Sequence, residues 1–269
     1  MNKAVIMARG LGTRMRKDSD SADMSAAQAS IAQTGVKALI PIDRPFLDYV
    51  LHALAEAGYT KVCLVIGPEH DVIREYYGKA VTTNRLEISF AIQEEPIGTA
   101  NAVLAAEHFA EGEHFIVINS DNYYPIEAYK QLRLIETAGL AGFEFEAMVS
   151  KGNIPADRLT AFAVVDSDEN GNMKKIVEKP SLDQLAELEK PYYISMNCWR
   201  FAPSIFEACK NIKPSQRGEF ELPDAVEYSR HTLGESYAVL KIADAVLDMS
   251  NQDDIASVTE RLKGTPVSL

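Results

Sequence analysis

The 269-residue chain is predicted to be an α/β protein, with a mainly parallel, twisted sheet covered by helices on both faces and a β-rich region inserted into it. Three observations carry this reading. Short, nearly continuous apolar runs recur through the first 140 or so residues, as strands buried on both faces require. Segments with helical periodicity separate them, the alternation that gives parallel sheets. After residue 144 the pattern changes to closely spaced strand-like runs with few helices between them.

Residues 3–8 (KAVIMA) form the first buried strand, and a basic, glycine-bearing loop, residues 9–17, follows it. Residues 18–36 are rich in Ser, Ala, Asp and Gln and read as an exposed excursion with room for one short helix. Residues 39–42 resume the apolar chain, broken by Pro41. Phe46, Leu47, Val50, Leu51 and Leu54 share one helical face over residues 46–57, and Gly58 ends that helix. Strands are expected at 61–66, 86–92 and 115–118, with helices at 71–77, 99–109 and 126–138. In the second half, strands are expected at 145–149, 161–165, 173–177 and 194–201, with a hairpin turn at Asp168-Glu169-Asn170-Gly171. Helices are expected over 203–209, 222–231 and 251–262. No internal repeat or low-complexity linker divides the chain, so one unit is expected.

The length suits one large domain or two small ones with a substantial core. A net charge of −12 argues against a nucleic-acid-coating protein or one bound to an anionic membrane. Yet residues 1–44 hold seven basic against four acidic residues. Such a basic island suits a compact anion such as a phosphate, or is a set of solvated surface arginines. The three cysteines are widely spaced and form no zinc pattern, and residues 1–8 are too short for a signal peptide, so a cytoplasmic setting is expected.

Ligands of such sheets sit at the carboxyl ends of the strands. There the loop Gly10-Leu11-Gly12-Thr13-Arg14-Met15-Arg16 offers backbone N–H groups and the Arg14 fork to phosphate oxygens. It lacks the third glycine of a dinucleotide fingerprint and the Gly-Lys-Ser/Thr of a P-loop, and a tight surface turn reads equally well. Lys37, before the proline-broken run 38–42, reaches back to hold a phosphate or faces solvent. Asp121, after a buried strand, is a Mg²⁺ ligand or a cap, and Asp248 could give a second metal oxygen. Glu178-Lys179-Pro180 follows a strand with its lysine fixed by the proline, or is a plain charge pair. His52, His70, His108, His114 and His231 form neither an HExxH motif nor a triad and are taken as structural or surface residues.

These elements together resemble the sugar-phosphate nucleotidylyltransferases. The blocks are Gly10–Met15, Lys37–Ile42, Gln93 with Glu94–Ala100, Asn119–Asn122, Val177–Pro180, Arg217–Asp224 and Leu247–Ser250, in family order. The resemblance implies a Rossmann-like, GT-A-like nucleotidyltransferase fold, with residues 1–140 binding nucleotide, 141–245 mainly binding sugar, and 246–269 bringing a metal ligand and a helix. It implies conversion of an NTP and a sugar 1-phosphate to an NDP-sugar and pyrophosphate, with Mg²⁺ as cofactor. Ala8, Gly10, Gly12, Thr13, Gln93, Gly98 and Thr99 would bind the nucleotide, Gln93 and Gly98 at the base. Arg14, Lys37 and Lys179 would handle the phosphates. Asn122, Glu178, Ala163 and Asn197 would meet the sugar, and Asp121 and Asp248 the metal. Gln93 favours UTP or dTTP, because its amide can both donate to and accept from a pyrimidine edge. No nucleic acid or membrane partner is expected, and a homo-oligomer is left open.

Three departures from the family pattern stand out. Arg9 occupies a position where the family favours small residues. Residues 18–36 look like an insertion beside the active site. Ala163 and Asn197 stand where relatives often have glycine, so the sugar is left open. Two other functions fit parts of the sequence: a non-catalytic nucleotide-sugar sensor, and a glycosyltransferase using Asp166-Ser167-Asp168 as a DxD metal motif.

Overall fold

A computed structural model of the chain describes residues 1–17, 23–187 and 191–269. The sheet begins with β1 (Lys3–Met7), whose five residues are all buried. Its side chains alternate between faces, as strand geometry dictates. Ala4 and Ile6 enter one core layer, and Val5 and Met7 the other.

α1 (Ala26–Thr34) opens with a capping box between Ser25 and Gln28 and closes on Gly35 at φ 79°. It is the one short helix expected in that excursion, and only Gln28 and Ala32 of it are buried. Ala32 is fully buried, and Gln28 donates to the Pro41 carbonyl and the Thr259 hydroxyl. The other part of that insertion, residues 18–22, lies outside the described residues. A 3₁₀ turn at Lys37–Leu39 leads to α2 (Phe46–Glu56), which buries the expected apolar face. β2 (Lys61–Ile66) follows, then α3 (Asp71–Glu75), which runs on into a π-helical turn at Tyr76–Ala80. β3 (Glu87–Ile92) precedes α4 (Thr99–Ala105) and α5 (Glu107–Ala110), two pieces of what the sequence reads as one helix.

β4 (Phe115–Asn119) and the two-residue β5 (Asn122–Tyr123) lead to α6 (Ile126–Leu134). Here the structure corrects the sequence. Residues 145–149, expected as a strand, lie in the helix α7 (Phe145–Lys151), and the strand is β6 (Ala138–Phe143). β6 is buried at every position, and its glycines have no room for a side chain. A Cβ on Gly139 would lie 2.7 Å from the Ala238 carbonyl oxygen, and one on Gly142 2.8 Å from Tyr193 Cβ. Small residues fit that crowded site but remove the β-branched pattern that announces a strand. α8 (Ala156–Leu159), β7 (Ala163–Ser167), β8 (Met173–Val177), α9 (Leu182–Ala186) and β9 (Tyr192–Phe201) come next. The chain closes with α10 (Ser204–Asn211), α11 (Leu222–His231), the unforeseen strand β10 (Tyr237–Ile242), β11 (Leu247–Asp248) and α12 (Asp253–Leu262).

Among the described residues one nine-stranded sheet runs β10–β6–β9–β4–β1–β2–β3, with β7 bonded to both β8 and β9. β1 pairs in parallel with β2 and with β4, and β2 with β3. β9 enters antiparallel to β4, β6 and β7, which joins the second half to the first. The expected parallel core is present, and every antiparallel strand pair among the described residues includes a strand from the second half. From β1 the chain moves out to β2 and β3 on one side and returns to β4 on the other. The order therefore reverses between β1 and β4, where Met7 lies opposite Asn119. Such a switch point opens a crevice at the strands' carboxyl ends. No helix among the described residues is long and apolar enough to cross a membrane.

Candidate active site

A cavity of about 390 Å³ occupies that crevice, within the usual size range for small-molecule sites. The loop after β1 (Ala8, Gly10) forms one wall and Lys37 another. Gln93, Gly98 and Thr99 close the β3 side, Asp121 the end of β4, and Asn197 the β9 side. Eight residues singled out from the sequence thus meet in one space. Gly12 supports the wall from behind. It is buried at φ 61°, and a Cβ there would lie 2.3 Å from the Gly35 carbonyl oxygen. Only glycine allows the β1 loop and the end of α1 to touch backbone to backbone.

At one end of the cavity, Lys37 Nζ lies 2.8 Å from Asp121 Oδ2. β5 and β11 pair so that Asp248 stands opposite Asn122, and Met249 N–H donates to the Asp121 carbonyl at 2.9 Å. Asp248 on β11 therefore lies beside Asp121, in the turn that leads into β5. Asp248 is nearly buried. Its Oδ1 accepts from Asn122 Nδ2 at 2.8 Å and its Oδ2 from Arg158 Nη2 at 3.0 Å. Burial, then the negative charge of Asp121, pushes its pKa up to about 6. Arg158 also bonds Asp254, which caps the N–H groups of Ser250 and Asn251 at the start of α12. Asn153 holds the Asp248 backbone, accepting from its N–H at 2.8 Å and donating to its carbonyl at 2.7 Å.

At the opposite end, Gln93 is 4% exposed and its amide NH₂ is committed twice, to the Gly98 carbonyl at 3.0 Å and Asn101 Oδ1 at 2.9 Å. Gly98 lies at φ 125°, and a Cβ there would fall 2.4 Å from the Phe220 carbonyl oxygen. Phe220 N–H donates to the Ile97 carbonyl, Ala100 N–H to the Phe220 carbonyl, and Leu222 N–H to the Thr99 hydroxyl. The Arg217–Asp224 block thus seals this wall, and its Glu219 reaches the cavity.

On the remaining side, Ala163 pairs with Ser195 across β7 and β9, and Val164 with Val177 across β7 and β8. Glu178 and Lys179 therefore follow β8 close to the start of β7. Lys179 and Asn197 are two of the three described non-glycine residues with positive φ, at 46° and 56°. Asparagine tolerates that region, whereas lysine there marks strain of the kind found at functional sites. Asn122 is nearly buried. Its Oδ1 accepts from Asn119 Nδ2 at 2.9 Å, while its NH₂ serves Asp248.

Thr13 and Arg14 are exposed in the turn beyond Gly12 and do not line the cavity; nor do Ala163, Glu178 and Lys179. The Asp166-Ser167-Asp168 stretch is spent on structure. Asp168 Oδ1 accepts from the Asn170 and Asn172 N–H groups, so the hairpin reading holds over the metal motif. Arg158, Asn153 and Asn101 were not foreseen. Asn101 lies one helical turn from Gly98, a local clue. Arg158 lies 90 residues from Asp248 in sequence, and no local pattern links them.

A family profile described as nucleotidyl transferase matches residues 3–263. The chain is 25% identical over 266 residues to a Haloferax volcanii protein named UTP–glucose-1-phosphate uridylyltransferase AglF, covering 97% of this chain and 96% of that one. It is 26% identical to the low-salt glycan biosynthesis nucleotidyltransferase Agl11 of the same organism and 29% identical to a glucose-1-phosphate thymidylyltransferase of Streptomyces griseus. The chain spans only 58% and 56% of the lengths of these two. Its fold matches the crystal structure of a UDP-glucose pyrophosphorylase complexed with UDP-glucose, with a TM-score of 0.72 over 97% of this chain and 98% of that one, at 19% identity.

Proposed function

The chain belongs to the nucleotidyl transferase family, and on that premise we propose that it converts an NTP and a sugar 1-phosphate to an NDP-sugar and pyrophosphate. One observation carries the reading. A single cavity holds a lysine–carboxylate pair at one end and an amide-lined recess at the other, joined by the glycine loop after β1. The match along nearly the full length of AglF supports it.

The chemistry asks for little else. An oxygen of the sugar phosphate attacks the α-phosphorus, and the bond to the β-phosphate breaks in line. The nucleophile is already an anion, so no general base is needed. Positioning and neutralisation of charge supply the catalysis. The Gly10 and Gly12 backbone cradles the phosphates, Arg14 and Lys37 hold the departing pyrophosphate, and Lys179 lies between sugar phosphate and α-phosphate. Gln93 and Gly98 contact the base, with Ala8, Thr13 and Thr99 beside the nucleotide. Glu178, Ala163, Asn197 and Asn122 face the sugar. We read residues 1–269 as one nucleotidyltransferase unit working in the cytoplasm, where its three buried free thiols stay reduced.

Mg²⁺ fits Asp121 and Asp248. Both are hard oxygen donors, and the burial and repulsion that raise the Asp248 pKa are relieved by a divalent cation. When bound, the ion neutralises phosphate charge. UTP or dTTP is the favoured nucleotide. Gln93 has both N–H bonds committed within the protein, which leaves Oε1 to accept from the N3–H of uracil or thymine.

The deciding experiment is a pyrophosphate-release screen crossing several NTPs with a panel of sugar 1-phosphates, with and without Mg²⁺. Mg²⁺-dependent release with UTP or dTTP is the expected result. Binding of nucleotide sugars with no release under any pairing would establish a sensor instead. Sugar transfer from an NDP-sugar to an acceptor would establish a glycosyltransferase.

A further inference from the structure

We propose that Arg9 is a positioning residue for the nucleobase. Clamped to Glu69, it fixes the main chain of Gln93 so that only the acceptor oxygen of that side chain faces the base. This rests on the nucleotidyl-transfer reading above.

Arg9 follows β1 in the loop beside the cavity, yet its side chain is only 7% exposed. Arg9 lines the cavity, and its side chain spans three strand ends. Nε and Nη2 each lie 3.3 Å from one carboxylate oxygen of Glu69, in the turn after β2. Nη1 donates to the main-chain carbonyl of Gln93, the residue after β3. Charge-assisted, two-pronged bonds of this kind fix geometry as well as contribute energy.

The seat of this clamp is built into the chain. A Cβ on Gly67 would lie 2.3 Å and 2.4 Å from the Glu69 oxygens and 2.5 Å from Arg9 Nε. The backbone of Gly67 lies outside the positive-φ region. A side chain there would push the Glu69 and Arg9 groups aside, so glycine keeps the clamp's seat open by its size and not by its conformation. Glu69 also matches the Arg9 charge, so the clamp adds no net cation beside the base.

Four bonds then hold Gln93. Its N–H donates to the Ile66 carbonyl at 2.9 Å, its carbonyl accepts from Arg9, and its NH₂ donates to the Gly98 carbonyl and Asn101 Oδ1. A backbone carbonyl can only accept, so Gly98 decides which end of the amide points at it. The remaining oxygen welcomes a ring N–H, as in uracil or thymine, and opposes the bare N3 of cytosine. With the Arg9 clamp released, the Gln93 backbone loses one of its two anchors and the amide can turn.

The test uses the full-length protein with UTP and CTP, and the Arg9→Ala and Gly67→Ala variants. Gly67→Ala keeps Arg9 but removes its seat. In both, the KM for UTP should rise about tenfold with far less change in kcat, and the UTP-over-CTP ratio of kcat/KM should fall by about tenfold, the size expected for one misplaced polar contact. Arg9→Lys, which keeps one donor, should fall between. If Arg9→Ala does not fold, Gly67→Ala and Glu69→Gln carry the same readout. An unchanged UTP-to-CTP ratio in folded, active variants would overturn the proposal, as would a loss confined to kcat. A wild-type protein that releases no pyrophosphate with any NTP would instead overturn the underlying reading, and the proposal with it.

Discussion

Lys37 Nζ and Asp121 Oδ2 lie 2.8 Å apart, so the cation assigned to phosphate and a carboxylate assigned to metal already neutralise each other. Their side chains are 13% and 24% exposed, far enough from bulk water for the pair to matter and open enough for a substrate to enter it. Incoming phosphates and a cation would exchange partners with this pair rather than meet two bare charges.

Lys37→Ala, Asp121→Asn and Lys179→Ala should therefore each lower pyrophosphate release by roughly 10²–10³-fold, the usual cost of removing one charge-stabilising group. Thermal melts of all three should stay near wild type, because none of these side chains belongs to the core.

Arg158 is the cation shared by Asp248 and Asp254, whose side chains are 3% and 4% exposed. Arg158→Ala leaves two buried carboxylates without it and should destabilise the fold by about 3 kcal/mol in urea titrations. Added Mg²⁺ should restore part of this loss, because a divalent ion can take over the neutralising role.

The two loop glycines should separate fold from function. At Gly10 nothing lies within 4 Å of an added Cβ, so Gly10→Ala should keep the wild-type melting temperature and weaken nucleotide binding. Gly12→Ala meets the Gly35 backbone at positive φ. It should cost about 2 kcal/mol or more of stability, measurable by calorimetry.

His70 supplies a pH dependence. Its Nδ1 accepts from the Gly67 N–H at 3.0 Å, and burial holds its pKa below the ordinary 6.5, with Glu69 opposing and Arg9 and Arg74 reinforcing that shift. The unfolded chain thus takes up a proton before the folded one does. Stability from this residue is fully present above pH 6.5 and is lost as pH falls from there through the folded value. Melting temperatures between pH 8 and 5 should show this decline, and His70→Gln should flatten it.

The first half was legible because β1, β2 and β4 are buried almost throughout. KAVIM, KVCLVI and FIVIN announce themselves as apolar runs; the loops after the first and last of them bring Gly10 and Asp121 into one crevice, and Gln93 enters it after β3. The second half was harder to read. Ala138–Phe143 hides its strand behind two glycines that crowding demands, while the Phe-Glu alternation at residues 143–146 mimics a strand where the chain turns into α7. Arg9 was visible as an anomaly, but its role was not. The Glu69 and Gln93 groups that hold it lie 60 and 84 residues away, brought near only by the sheet. Asn197 at φ 56° shows why an asparagine can stand at a position favouring glycine.

The short backbone ladder between residues 97–100 and Phe220 ties the recess for one substrate to the stretch of chain leading into α11. A shift of that stretch would tug on Gly98 and on the cavity rim beside Gln93. Substitutions in residues 217–221 should therefore be screened for altered nucleotide choice from the outset.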